Sequence, residues 1–220
     1  MDVFLEQSIS DFLKEYPLMR IASSKNNFID IRGKFEFIAS PEITRDVISD
    51  SYEILISIPN TFPRGIPIVK ELQNKIPNDN NHHVNPADNS LCLGSPFRIL
   101  EKLRQSPNLL GFAKKCLIPY FYATSYCLRN ENTYPFGELS HGDKGLYEDT
   151  KEMFNLDSDE QVQELIKLFG LKKRIANKKK CICGCNKRLG KCKLRFQIHS
   201  LREFCTCSTL TKIIAQSFDL

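Results

Sequence analysis

Between Asp2 and Tyr16 the apolar residues Phe4, Leu5, Ile9, Phe12, Leu13 and Tyr16 recur at helical spacing, and Pro17 ends the run. The spacing predicts an amphipathic helix over 2–16. The period then shortens to two. Asn27 to Ala39 alternates Phe35, Phe37 and Ala39 against Lys34, Glu36 and Ile38, and Tyr52 to Ile58 places an apolar face on its even positions. Both read as strands. Pro59, Pro63 and Pro67 break the second one, and Ile68-Val69 is expected as a third, short strand. Further on, Phe97–Leu103 predicts a short helix and Leu109–Leu128 a longer one, with Leu110, Phe112, Ala113, Cys116, Leu117, Tyr120 and Phe121 on its inner face.

Residues 134–145 hold three glycines and no periodicity, so they read as a loop, after which Leu146–Phe154 resumes helical spacing. Asp157-Ser158-Asp159-Glu160 is a helix-start signal ahead of Val162, Leu165, Ile166 and Phe169, with Gly170 as the stop. One helix followed by an antiparallel meander predicts an α+β fold with the sheet covered on one face.

Composition narrows the setting. At 220 residues, 41% hydrophobic and 26% charged, the chain suits a globular core domain with an appendage. Lys114, Lys115 and Pro119 interrupt the longest apolar run, so it is expected to be a buried helix and not a membrane span. Met1-Asp2-Val3 opens no leader of basic then apolar residues, and nine cysteines in such a chain suggest thiols and metal in a reducing cytoplasm.

Charge divides the chain. Residues 1–164 carry 17 Lys/Arg against 24 Asp/Glu, a net of −7, whereas residues 165–220 carry 14 against 2, a net of +12. The expected organisation is a domain over 1–156 and a basic, cysteine-rich module over 157–220.

The candidate chemistry begins at His82-His83-Val84-Asn85-Pro86-Ala87-Asp88-Asn89-Ser90-Leu91-Cys92-Leu93-Gly94. A cysteine seven residues after an asparagine, beyond a turn-forming Asp-Asn-Ser, suits the display of one thiol on a loop. Cys116 and Cys127 lie among apolar residues and read as core.

Taken in order, Ile58-Pro59-Asn60-Thr61-Phe62-Pro63, Ile66-Pro67-Ile68-Val69, His83-Val84-Asn85 and Ser90-Leu91-Cys92-Leu93 resemble a ubiquitin-conjugating enzyme over roughly residues 1–155. Val84 stands where that family has proline. Gly137-Glu138-Leu139-Ser140-His141-Gly142, followed by Glu148, is similar to the bacterial branch found beside anti-phage signalling operons. The resemblance implies the conjugating-enzyme fold: an N-terminal helix, an antiparallel meander, an active-site loop and C-terminal helices. It also implies that Cys92 accepts an activated protein C-terminus as a thioester and passes it to an amine or thiol. The implied partners are a ubiquitin-like modifier or the C-terminal tail of a cyclic-nucleotide synthase, together with an activating enzyme.

Each neighbour of Cys92 then has two readings. Asn85 either donates to the oxyanion formed during transfer or braces the turn. His83 either takes part in the chemistry or holds the loop by hydrogen bonds. His141 either accepts the proton of the incoming amine or braces its own loop.

The tail carries Cys181, Cys183, Cys185, Cys192, Cys205 and Cys207, with His199 among them. Thiolates at this density in a reducing compartment predict a structural zinc. Residues 181–192 resemble a small zinc motif, Cys-x-Cys-Gly-Ser-Gly-Lys-Lys followed by Cys and Cys/His, matching it at Cys181, Cys183 and Cys192. Lys193 occupies the position of the final ligand, so Cys185, His199, Cys205 or Cys207 must complete a tetrahedron.

The surrounding lysines and arginines suit phosphates or an acidic protein surface. Phe196 and Phe204 are the nearby aromatic residues, too few to stack bases along a strand, so a protein partner is favoured over nucleic acid. Two rivals to the transferase stand beside it: an inactive copy of the fold serving as a scaffold, and a basic zinc module that clamps nucleic acid.

Overall fold

The computed structural model describes residues 2–25, 27–42, 46–131, 133–135, 142–206 and 210–211. It is an α+β structure whose contacts divide the chain into two compact units. Met1–Gly94 with Gln105–Glu138 form the first, and Ser95–Arg104 with Leu139–Leu220 form the second.

In the first unit, helix α1 (Val3–Glu15) starts where the Asp2 carboxylate accepts the Phe4 N–H. Strands β1 (Met19–Lys25), β2 (Phe28–Ala39), β3 (Ile48–Pro59) and β4 (Ile68–Glu71) follow as a four-stranded antiparallel sheet in sequence order. Alternation along β2 and β3 turns Ile31, Phe35, Tyr52, Ile54, Ile56 and Ile58 inward, each at 1% exposure or less. Leu5, Ile9 and Phe12 of α1 are buried at 3% exposure or less. Burying each such side chain contributes about 1.5–3 kcal/mol. Phe121 adds the other cover, with its ring 4.5 Å from that of Tyr52 and 5.7 Å from that of Phe35.

β3 begins four residues before the run read from the sequence, because inward-facing Asp50 breaks the apolar alternation. Asp50 is tolerated there through Ser125 Oγ, Arg129 and Lys75, all of which donate to its carboxylate. β1 was not apparent in the periodicity. It is an edge strand with Arg20, Ser23 and Ser24 in its length and Ile21 half-exposed, and its ladder to β2 rather than an apolar pattern defines it.

The expected helix over Leu109–Leu128 forms as α3 (Leu109–Phe112), a π-turn (Ala113–Leu117) and α4 (Ile118–Arg129). Pro119 accounts for the interruption. Its ring has no N–H and would strike the carbonyl one turn back, so the ladder slips and Ile118 N–H bonds to Ala113 O.

In the second unit, α2 (Pro96–Gln105) lays Phe97 against Phe154 of α5 (Gly142–Phe154) and Phe169 of α6 (Asp159–Gly170), with centroids 5.3 and 5.4 Å away. A capping box starts α6: Ser158 Oγ accepts the Gln161 N–H and Gln161 returns its side chain to the Ser158 N–H. A single turn, α7 (Lys173–Ala176), leads to the cysteine-rich hairpin, and α8 (Leu194–Phe204) follows with Leu194, Ile198 and Leu201 buried. No helix among the described residues is long and apolar enough to cross a membrane.

Candidate functional site

The loop of the first unit is built from its backbone. Asp79 caps a 3-10 turn (Asn80–His82) by accepting both the His82 N–H at 2.9 Å and the His82 ring at Nδ1 at 2.7 Å. The His82 ring holds the Asp79 carboxyl below the usual carboxylate range, against the weaker pull of burial. His83 then adopts a left-handed conformation (φ 54°), which redirects the chain into the next segment.

Val84 pairs with Leu91 as an isolated antiparallel bridge, both at 7% exposure or less. Two flanking bonds close it: Asn85 N–H to Ser90 O and Cys92 N–H to His83 O, each 2.8 Å. Leu91 N–H also donates to Val69 O at 2.8 Å, and Ser90 bridges Lys70, so this ribbon is stitched to the edge of β4. With Val84 and Leu91 turned inward, alternation sends Asn85, Ser90 and Cys92 to the opposite, solvent side. Cys92 is exposed. Asn85 lies diagonally across the ribbon from it, a relation that puts Cβ atoms within about 8 Å.

Asn85 braces the turn: its Oδ1 accepts the Ala87 N–H at 3.1 Å. Its Nδ2 has no acceptor among the described residues. Asp88 takes both the Ser90 N–H (3.0 Å) and Oγ (2.6 Å). Burial works against the charged Asp88, but these bonds and the charge of Lys70 outweigh it and hold the carboxyl low. The His83 ring meets Tyr134 edge-on at 5.3 Å. Gly94 sits at φ 126°, which L side chains rarely adopt, so glycine is what lets the chain leave the cysteine at this angle. His141 lies outside the described residues.

Tyr120 belongs to this site and was read from the sequence only as a core residue. Its hydroxyl donates to His82 O at 3.1 Å and approaches His83 O at 3.4 Å. Burial pushes this hydroxyl far up, the Thr124 hydroxyl opposes that, and nearby Tyr134 and Cys92 add to it, so it is a permanent donor. The available signal was chemical: a hydroxyl on a buried helix face needs a partner.

The second candidate site lies in the second unit. The Sγ atoms of Cys181, Cys183, Cys185 and Cys192 all fall within 4.8 Å of one another. Cys181 and Cys183 are 3.3 Å apart, and Cys183 and Cys192 3.6 Å. Four thiolates about 2.3 Å from one ion form a tetrahedron with edges of about 3.8 Å, so the set fits a metal. A small hairpin arranges them: Lys180 bridges Arg188, and Cys181 N–H donates to Lys187 O at 2.8 Å. Gly184 and Asn186, both at positive φ, turn its tip.

Burial raises the Cys181 and Cys183 thiols, whereas the Lys187 N–H, helped by Cys183, draws exposed Cys185 down to about 7. By position Cys185 is the fourth sulfur of the group. His199 instead bonds Asn177 Oδ1 through Nε2 at 3.1 Å, and burial, then Lys173 and Arg202, lower its pKa. Cys205 is buried at the C-cap of α8, and Cys207 lies outside the described residues. Cys116 and Cys127 are buried in the first unit.

The chain matches no protein-family model, no curated protein and no solved structure.

Proposed function

We propose that the chain is a bacterial transferase of the ubiquitin-conjugating kind, with Cys92 as its acyl carrier. The observation that carries this reading is an exposed thiol whose own N–H is bonded to His83 O, on a ribbon tied to β4 and preceded by a turn that Asp79 caps. A buried structural cysteine would need no such display. An α+β core in which α1 precedes a four-stranded antiparallel meander agrees with the same fold.

The thiolate attacks the carbonyl of an activated C-terminal ester, forms the thioester and expels the activating group. An amine then attacks that carbonyl, the C–S bond breaks, and Cys92 leaves as thiolate while the amine's proton passes to a base. Asn85 Nδ2 is the candidate donor to the intermediate oxyanion, a contribution of about 3 kcal/mol in comparable sites. His83 braces the loop through its carbonyl, and His141 is the candidate base. The modifier is a ubiquitin-like protein or the tail of a cyclic-nucleotide synthase in an anti-phage operon, delivered by an activating enzyme. A reducing cytoplasm suits both the free thiol and the cluster.

We assign zinc to the four-cysteine cluster on its all-sulfur donor set, closed to substrate, which is the pattern of a structural site. Its role would be to hold the hairpin against α8.

The test is a non-reducing gel of cells expressing the chain with its neighbouring genes. A thiol-sensitive adduct should disappear in Cys92→Ala and become thiol-resistant in Cys92→Ser. An adduct that survives Cys92→Ala overturns the reading.

A further inference from the structure

Unit two carries a groove of about 450 Å³ between the end of α6, α7 and the cysteine hairpin. Leu168 and Leu171 line its α6 side, and Ile175 and Ile182 line the facing side. Ile175 is 42% exposed and opens onto the groove. The rim is basic. Lys179 and Lys180 are exposed and pair with no carboxylate among the described residues, whereas Lys167 is held by Glu164 at 2.7 Å.

The negative end of α6 does not offset this charge, because Arg202 Nη2 donates to both Leu168 O and Leu171 O. The 14 Lys/Arg against 2 Asp/Glu of residues 165–220 extend the positive field around the groove. An apolar trough of this size with unpaired lysines on its edge complements one kind of segment, with aliphatic side chains on one face and carboxylates on the other.

We propose that this groove docks an acidic amphipathic peptide segment of a partner protein, seating its apolar face on Leu171, Ile175 and Ile182 and its carboxylates on Lys179 and Lys180. Nucleic acid is the poorer fit. A phosphate backbone uses the lysines but not Leu171, Ile175 and Ile182, and no aromatic residue lines the groove among the described residues. Ile182 lies between two cluster cysteines, so the facing wall depends on the fold of the hairpin. The site is independent of Cys92, and its failure would leave the transferase reading untouched.

Fluorescence anisotropy of the full, zinc-loaded chain tests it with a short labelled peptide bearing leucines at helical spacing and glutamates elsewhere. Lys179→Glu with Lys180→Glu, and separately Ile175→Ser, should each weaken binding by about tenfold or more, a loss of about 1.4 kcal/mol. Both changes sit at exposed positions, and thermal melts check that the variants remain folded. A peptide with serine for leucine should bind at least about tenfold more weakly than the parent. Three results overturn the proposal: no binding by the parent peptide, equal binding by the serine peptide, or no effect of the Ile175 change. Displacement of the peptide by a single-stranded oligonucleotide that binds more tightly and loses affinity in the lysine double variant also overturns it, in favour of a phosphate surface.

Discussion

The Tyr120 hydroxyl lies 3.1 Å from the carbonyl oxygen of His82 and 3.4 Å from that of His83, and the His83 oxygen also receives the Cys92 N–H. A side chain on α4 is thereby linked to the cysteine through one carbonyl. Tyr120→Phe removes one oxygen and little volume. It leaves a buried acceptor unmatched, at a cost of about 1–3 kcal/mol. Urea melts should show that loss, and amide exchange at Cys92 should quicken more than exchange in β2. Unchanged exchange at Cys92 would separate Tyr120 from the cysteine loop.

Asp50 provides a pH-dependent test of the first unit. Burial raises its pKa, but the bond from Lys75, the Ser51 N–H and the Ser125 hydroxyl together outweigh it, and the carboxyl titrates below its usual range. A folded pKa below the unfolded value of about 3.9 means that the stabilisation is complete above that pH and fades as pH falls through the folded value. Asp50→Asn should therefore cost about 1–3 kcal/mol at neutral pH, with the gap to the unaltered protein closing in acid below about pH 4. Melts of both proteins at neutral pH and in strong acid read this directly, and a gap independent of pH refutes it.

Legibility followed burial. α1, β2, the Tyr52–Ile58 part of β3 and α6 could be read because most of their inner positions are apolar at the element's own period, and the Ser158 start signal proved to be a capping box. β1 was hidden since an edge strand presents polar residues to solvent and draws its bonds from β2. α8 was hidden because it directly follows the cysteine- and lysine-rich run 178–193, although Leu194, Ile198 and Leu201 share a buried stripe. The cysteine loop could be located by its turn residues. Its tether to Tyr120 could not, because 37 or 38 residues separate the partners and nothing local marks the pair. The choice of Cys185 over His199 was equally non-local: Asn177, 22 residues before His199, engages that ring.

Metal binding at the cluster should release protons. Thiols must lose their protons to become ligands, and burial keeps those of Cys181 and Cys183 protonated well above neutral pH, whereas Cys185 titrates at about 7. Affinity therefore rises with pH through the neutral range. Calorimetric titration of the chelator-stripped chain with zinc, in buffers of different ionisation enthalpy, should give a positive proton release. Cys185→Ser removes one of four donors and should weaken binding by about tenfold or more, whereas His199→Ala should leave it within about threefold. The reverse order would move the fourth ligand to His199.

Alkylation separates the two thiol sites by exposure and charge. Cys92 is exposed, Cys116 and Cys127 are at 1%, and the four cluster sulfurs are withdrawn once a metal holds them. Brief iodoacetamide treatment of the zinc-loaded chain should therefore modify Cys92 ahead of every other described cysteine, as read by peptide mass spectrometry. Stripping the metal frees Cys185, which is exposed and drawn down to about 7, so it should become the second site to react. Cys116 and Cys127 should react only at the rate of global unfolding, because the core must open to admit the reagent. A Cys92 that labels no faster than Cys116 would show that the loop buries its thiol in solution, and with it would go the display on which the transferase reading stands.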